Sequence, residues 1–181
     1  MKHAKRIALT ATALAAGAAA TLLGTGVGQA APAGTTALPA VHAPAALQVP
    51  AGNKLTAVFS ARGVQTYTCT DGAWKFLEPG AVLSDRAHRP VALHSRGPVW
   101  VSTVDGSAVN ASSVASSAKD GTIPELLLKA TATRGTGVFG DVTYVQRLDT
   151  TGGVAPTDAC TGTEQVGVRY TATYAFYKAA S

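Results

Sequence analysis

Near the C-terminus, Val168, Tyr170, Ala172, Tyr174 and Phe176 alternate with Arg169, Thr171, Thr173, Ala175 and Tyr177. Successive side chains of a strand leave opposite faces, so this register sets one apolar row against a core and a mixed row outside. A helix would scatter the same residues around its circumference. The stretch from Val142 to Leu148 is β-branched and aromatic and reads the same way. Further strands are predicted over 54–61, 64–69, 74–77, 90–95 and 99–104. Leu126-Leu127-Leu128 fits either a buried strand or a helical turn, and Pro124 upstream permits both. Asp71-Gly72, Asp105-Gly106 and Asp120-Gly121 tolerate the positive φ of tight hairpin turns, and Glu78-Pro79-Gly80 and Thr151-Gly152-Gly153 add two more. The polar run 110–121 reads as a surface loop. Short strands, turns and no long amphipathic helix predict an all-β fold, an antiparallel β-sandwich or barrel.

This pattern starts late in the chain. Of 181 residues, the first aromatic is Phe59 and the first acid is Asp71. The N-terminus has the layout of a secretory signal: Lys2, Lys5 and Arg6, a weakly apolar run of Ala, Gly and Thr, then Gly28-Gln29-Ala30. Small residues at Gly28 and Ala30 suit cleavage after Ala30, and an Ala-rich run inserts into lipid far less favourably than Leu or Ile, so no transmembrane anchor is expected after cleavage. Residues 31–48, uncharged and with three prolines, read as an Ala/Pro-rich flexible linker. A single domain over 49–178 is the expected folded part, large enough for one core.

The charge balance argues against nucleic acid as a partner. Without the three N-terminal bases, 12 of the 15 remain against 10 acids, a net of +2 rather than +5. No basic stripe is left to track phosphates. An exported chain with only two cysteines predicts a Cys69–Cys160 bridge, free thiols being the alternative.

Motifs of chemistry are sparse. Gly135-Thr136-Gly137-Val138-Phe139-Gly140 spells a dinucleotide fingerprint, but a strand follows it where the mechanism needs a helix, so it reads as a glycine-rich hairpin. Ser107, Asp105 and His94 supply the residue types of a triad, though Asp105-Gly106-Ser107 is first of all a turn. His88 and His94 lack the spacing of a metal site, and neither a metal nor a cofactor is expected. Arg147 shares a strand face with Val145 and Thr143. Inside, it would need a partner such as Asp149 or Glu125, and a solvated outward position is the simpler expectation. Trp74 and Trp100 are candidate stacking platforms, although tryptophan more commonly sits in cores.

Read together, Gly63-Val64-Gln65, Tyr67 and Cys69; His94, Gly97-Pro98 and Trp100; Asp105-Gly106-Ser107 and Val109; Ile123-Pro124 and Leu126 to Lys129; Gln146-Arg147, Thr150, Gly152-Gly153, Pro156 and Cys160 resemble a secreted domain-of-unknown-function family of bacteria and fungi. The resemblance spans residues 49–177, departing at Glu125, where tryptophan is usual, and at Ser95-Arg96. It implies an exported all-β domain with no established activity. Some relatives carry a dehydrogenase name, which no Rossmann pattern here supports. It directs attention to His94, Trp100, Asp105, Lys129, Gln146 and Arg147. Two functions follow. One is a non-catalytic extracellular binding module for a cell-wall polymer, a small hydrophobic ligand or a protein, with Trp100, Trp74, Gln146 and Lys129 as binding candidates. The other is an extracellular enzyme with His94 and Asp105 as acid–base partners and Arg147 as an anion clamp.

Overall fold

A computed structural model describes residues 37–180, so the signal sequence inferred for residues 1–30 lies outside the described residues. Eight strands follow one another: β1 (Asn53–Thr70), β2 (Ala73–Ser84), β3 (Pro90–Ser95), β4 (Val99–Ser102), β5 (Ala108–Ser117), β6 (Glu125–Arg134), β7 (Val142–Gly152) and β8 (Gln165–Ala179). Each pairs antiparallel with the next, and β8 returns to β1 to close a barrel. Of the two architectures the period-two pattern allows, the closed barrel is the one adopted, and closure leaves no edge strand to aggregate.

Alternation sorts the side chains. Ala57, Phe59, Ala61, Leu83, Ala92, Trp100, Val109, Leu128, Val145, Tyr170, Ala172, Tyr174 and Phe176 build one interior core. The row read from the C-terminal segment is therefore the β8 contribution to the barrel interior. Leu126-Leu127-Leu128 resolves as strand, with Leu126 and Leu128 inward and Leu127 outward.

Three local expectations need correction. The segments 54–61 and 64–69 are one strand, because Gly63 lets β1 run on where it crosses β2 closely. A Cβ there would sit 2.1 Å from the Gly80 carbonyl oxygen. Glu78-Pro79-Gly80 is not a turn but the middle of β2, where Leu77 bulges opposite the Thr66/Tyr67 step. Pro79 is tolerated because β2 pairs with β3 only from Ala81 onward, so no ladder donor is needed on that side. The polar run after Asn110 continues as β5 to Ser117, its small side chains held in the sheet by pairing with β6. Tertiary pairing overrides weak strand propensity here.

Connections alternate between the two ends of such a meander. One end carries the β2–β3, β4–β5 and β6–β7 loops, and it is plugged. Phe139, fully buried, enters from the β6–β7 loop and packs on Phe176 (ring centroids 4.7 Å) and Phe59 (6.4 Å). Asp105 of the β4–β5 loop holds that plug. Its carboxylate accepts hydrogen bonds from Ser107 N (2.9 Å), Ser107 Oγ (2.6 Å) and Val138 N (2.9 Å), while Ser107 Oγ accepts one from Phe139 N (3.0 Å). These bonds hold the Asp105 carboxyl far below its ordinary range, the Ser107 hydroxyl foremost. Gly137 passes so close that a Cβ would lie 2.1 Å from the Asp105 carboxyl carbon. The spelled-out nucleotide fingerprint is thus the plug loop.

The flexible linker expected over 31–48 is corrected for its described part. Leu47, at the end of a 3-10 turn (Ala45–Leu47), is fully buried against Leu127 and Leu148 on the outer wall, with Val41, Ala43 and Val49 beside it. Outward-facing Leu127 and Leu148 expose apolar surface that this strap covers, which is why an uncharged, proline-rich stretch is ordered.

Candidate binding cavity at the open end

The opposite end, formed by the β1–β2, β3–β4, β5–β6 and β7–β8 connections, holds a cavity of about 540 Å³. Eight strands enclose an interior that side chains either fill or leave free for one small ligand. Below, Trp100 and Phe176 fill it (6.0 Å apart, edge-on); above them the cavity remains. Leu126, Leu128, Ile123, Pro98 and Trp100 supply apolar walls. Tyr67 and Phe76 meet edge-on, ring centroids 5.9 Å apart, on the β1–β2 hairpin, and Phe76, 56% exposed, forms an apolar lip.

The lip is anchored. Cys69 and Cys160 are disulfide-bonded, tying the β7–β8 connection to the end of β1. Cys69 N also donates to the Glu164 carbonyl (2.8 Å), and Tyr67 Oη donates to the Gly153 carbonyl (2.6 Å). Across the mouth, Thr150 Oγ1 and Lys119 Nζ fix the β5–β6 connection, through Ile123 O (2.8 Å) and Thr150 O (2.9 Å) respectively.

Within these apolar walls sit a few polar groups. His94 on β3 is 3% exposed and lies flat on Trp100, its cross-strand partner on β4, with ring centroids 4.4 Å apart and planes 6° from parallel. Burial pushes its pKa down to about 4, only partly opposed by the Val99 hydrogen bond and reinforced by the charge of Arg147. The ring is therefore neutral at pH 7. Its Nδ1 lies 3.0 Å from the Val99 carbonyl, which only an Nδ1–H donor satisfies, so Nε2 carries the lone pair. Gln65 on β1 and Trp100 are buried along the wall, and among the described residues neither Gln65 Nε2 nor Trp100 Nε1 has a hydrogen-bond partner. Leaving such donors unmet costs roughly 1–3 kcal/mol each. Tyr174 Oη lies 3.4 Å from Tyr170 Oη, and burial raises both phenols above their ordinary value.

Arg147 reaches this cavity from β7, inward like Val145, and so corrects the expectation of a solvated outward arginine. Neither Asp149 nor Glu125 neutralises it. Glu125 Oε1 instead accepts from Asp149 N (2.8 Å) and lies 3.9 Å from Lys119 Nζ. The guanidinium donates Nε–H and Nη2–H to the Pro124 carbonyl (3.1 and 2.8 Å), and its charge acts on Tyr67, His94, Tyr170 and Tyr174. Arg96 also lines the mouth but is paired with Glu78 at 3.0 Å. No carboxylate lines the cavity among the described residues.

The fold thus gathers His94, Trp100 and Arg147 and leaves the other candidates elsewhere. Asp105 lies in the plugged end, one strand length away from the cavity mouth, occupied with the plug loop. Gln146 faces outward under the strap: its Nε2 donates to Leu47 O (2.6 Å) and its Oε1 accepts from Tyr177 Oη (2.7 Å). Lys129 is exposed between Ser112 and Tyr144, and Trp74 lies outside the cavity with a buried, unpartnered Nε1. Gln65, Tyr67 and Tyr174 are the additions. Between Ala57 and Cys69, Gln65 is the one polar amide sharing a parity with Ala57, Phe59, Ala61 and Tyr67, a signal lost when β1 is broken at Gly63.

Architecture and cavity together define a closed eight-stranded meander barrel, plugged at one end and hollow at the other. Residues 50–178 match the family model described as a protein of unknown function (DUF3455), and the chain belongs to that family. No curated protein and no solved structure matches it.

Proposed function

We propose that this protein is an exported, non-catalytic binding module that takes a small apolar molecule into the hollow end of its barrel. The observation that carries this is the cavity of about 540 Å³, walled by Leu, Ile, Pro, Phe and Trp with a few inward polar groups, within the usual size range and character of small-molecule sites. By water's share of liquid volume, it has room for on the order of 18 non-hydrogen atoms. Phe139 blocks the far end, so the cavity is blind, which favours a compact ligand over a threaded polymer. Export is supported by the cationic-then-apolar N-terminus and by the disulfide, which persists in oxidising compartments. The enzyme reading, with His94, Asp105 and Arg147 acting together, is weaker because Asp105 is committed to the plug and His94 is a neutral base with no acid facing it.

Titration of the mature protein with 1-aminoanthracene, a neutral fluorescent probe, tests the proposal. Saturable 1:1 binding is expected in the wild type, and loss of it in Leu128→Trp and Ser113→Phe, which fill the cavity from paired positions on the neighbouring strands β6 and β5. Absence of saturable binding, or binding unchanged in both folded variants, refutes the reading.

A further inference from the structure

We infer that the cavity selects an organic monoanion, an apolar body carrying one carboxylate, with Arg147 holding the carboxylate. This inference rests on the binding reading above. Three features converge on it. The cavity is apolar yet contains a cation with no carboxylate in its lining among the described residues, and Glu125, the nearest acid by chain, is engaged by the Asp149 backbone N–H and lies near Lys119 rather than pairing with the guanidinium. A guanidinium has five N–H donors; the Pro124 carbonyl takes two, both on the Nε/Nη2 edge, and the Tyr174 hydroxyl is within hydrogen-bonding reach of a third. Two donors remain on the Nη1/Nη2 end, the number a carboxylate takes end-on.

A second group points the same way independently. Gln65 Nε2 is a buried, unpartnered donor in the same wall, on a residue 2% exposed. A carboxylate has about four lone-pair positions on two oxygens, enough to accept from both Arg147 and Gln65. The neighbouring Tyr67, whose hydroxyl is spent on Gly153, adds no competing charge. One unpaired cation matches one negative charge; a dianionic phosphate would leave a second charge in low dielectric, since Arg96 is already paired with Glu78. His94 contributes no cation either, being neutral, and its apolar stack with Trp100 floors the cavity beneath the body of the ligand.

Competition against bound 1-aminoanthracene separates charge from shape. Decanoate and decanol share one chain and differ in the head group. At pH 7.5 decanoate is expected to displace the probe at roughly 10- to 100-fold lower concentration than decanol, the range a charge-assisted hydrogen bond supplies. Arg147→Gln, which keeps a donor for the Pro124 carbonyl, should erase that difference by weakening decanoate far more than decanol, each read against the probe's own affinity in that variant. Gln65→Leu should weaken decanoate several-fold more than decanol, read in the same way. Equal displacement by the two compounds in the wild type, or an advantage of decanoate that survives Arg147→Gln, overturns the inference while probe binding keeps the cavity reading intact. Failure of the wild type to bind the probe at all overturns the cavity reading itself.

Discussion

Acidification from pH 7 to pH 4 should destabilise this barrel through a single imidazole. His94 sits between Trp100 and Tyr174 in the wall of the barrel, and burial lowers its pKa from 6.5 to about 4. In the unfolded chain the same side chain takes up a proton near its ordinary value. Between those two values the unfolded state is the one that binds the proton, so stability falls as the pH drops through the window. The difference corresponds to about 3 kcal/mol, lost from pH 6.5 downward and levelling near pH 4, where the folded ring also protonates. That is a large share of the roughly 5–15 kcal/mol that separates folded from unfolded domains. Asp85 and Asp105, whose carboxyl pKa values are lowered by hydrogen bonds to Arg89 and to Ser107, add their own losses only below the ordinary carboxylate value, 3.8. Urea unfolding followed by tryptophan fluorescence at pH 7, 6, 5 and 4.5, on the wild type and on His94→Asn, reads the effect. A progressive drop is expected in the wild type and a nearly flat profile in the variant. A flat wild-type profile, or an equal slope in both proteins, would refute the assignment of a buried neutral histidine.

Other perturbations probe the remaining supports. Reducing the Cys69–Cys160 bridge, which closes a loop 91 residues apart in sequence, should lower stability by up to about 4–5 kcal/mol on chain-entropy grounds, measurable as a drop in the urea midpoint of Cys69→Ser/Cys160→Ser. Gly137→Ala drives a Cβ into the Asp105 carboxylate, and a loss of about 1–3 kcal/mol is expected, with probe affinity at the far end unchanged; an unaltered midpoint would contradict the plug geometry. Leu47→Ala removes the fully buried anchor of the strap and should cost about 2–5 kcal/mol, accompanied by faster proteolysis of residues 37–48. Protection equal to the wild type would show that the strap is held by something other than Leu47.

Local sequence determined the kind of fold and much of its punctuation. The strict alternation from Val168 to Tyr177 has one physical solution, a half-buried strand, and Asp71-Gly72 adopts the left-handed turn its residues favour, with φ of 52° and 75°. The pairing of Cys69 with Cys160 was equally legible, since only two thiols were present. What period two cannot specify is which of two faces becomes the inside once eight strands curl shut, because a pleat is symmetric until something covers it. Arg147 and Gln146 are neighbours in sequence with comparable polarity; closure sends the first into the cavity and the second under Leu47. Asp105 and His94 are separated by 11 positions yet serve different places, Asp105 in the β4–β5 loop at the plugged end and His94 on β3 lining the cavity. Only the closed ring, bringing β1 against β8, decided that a stretch of alternating residues should surround a hollow floored by His94 and Trp100 rather than a filled core.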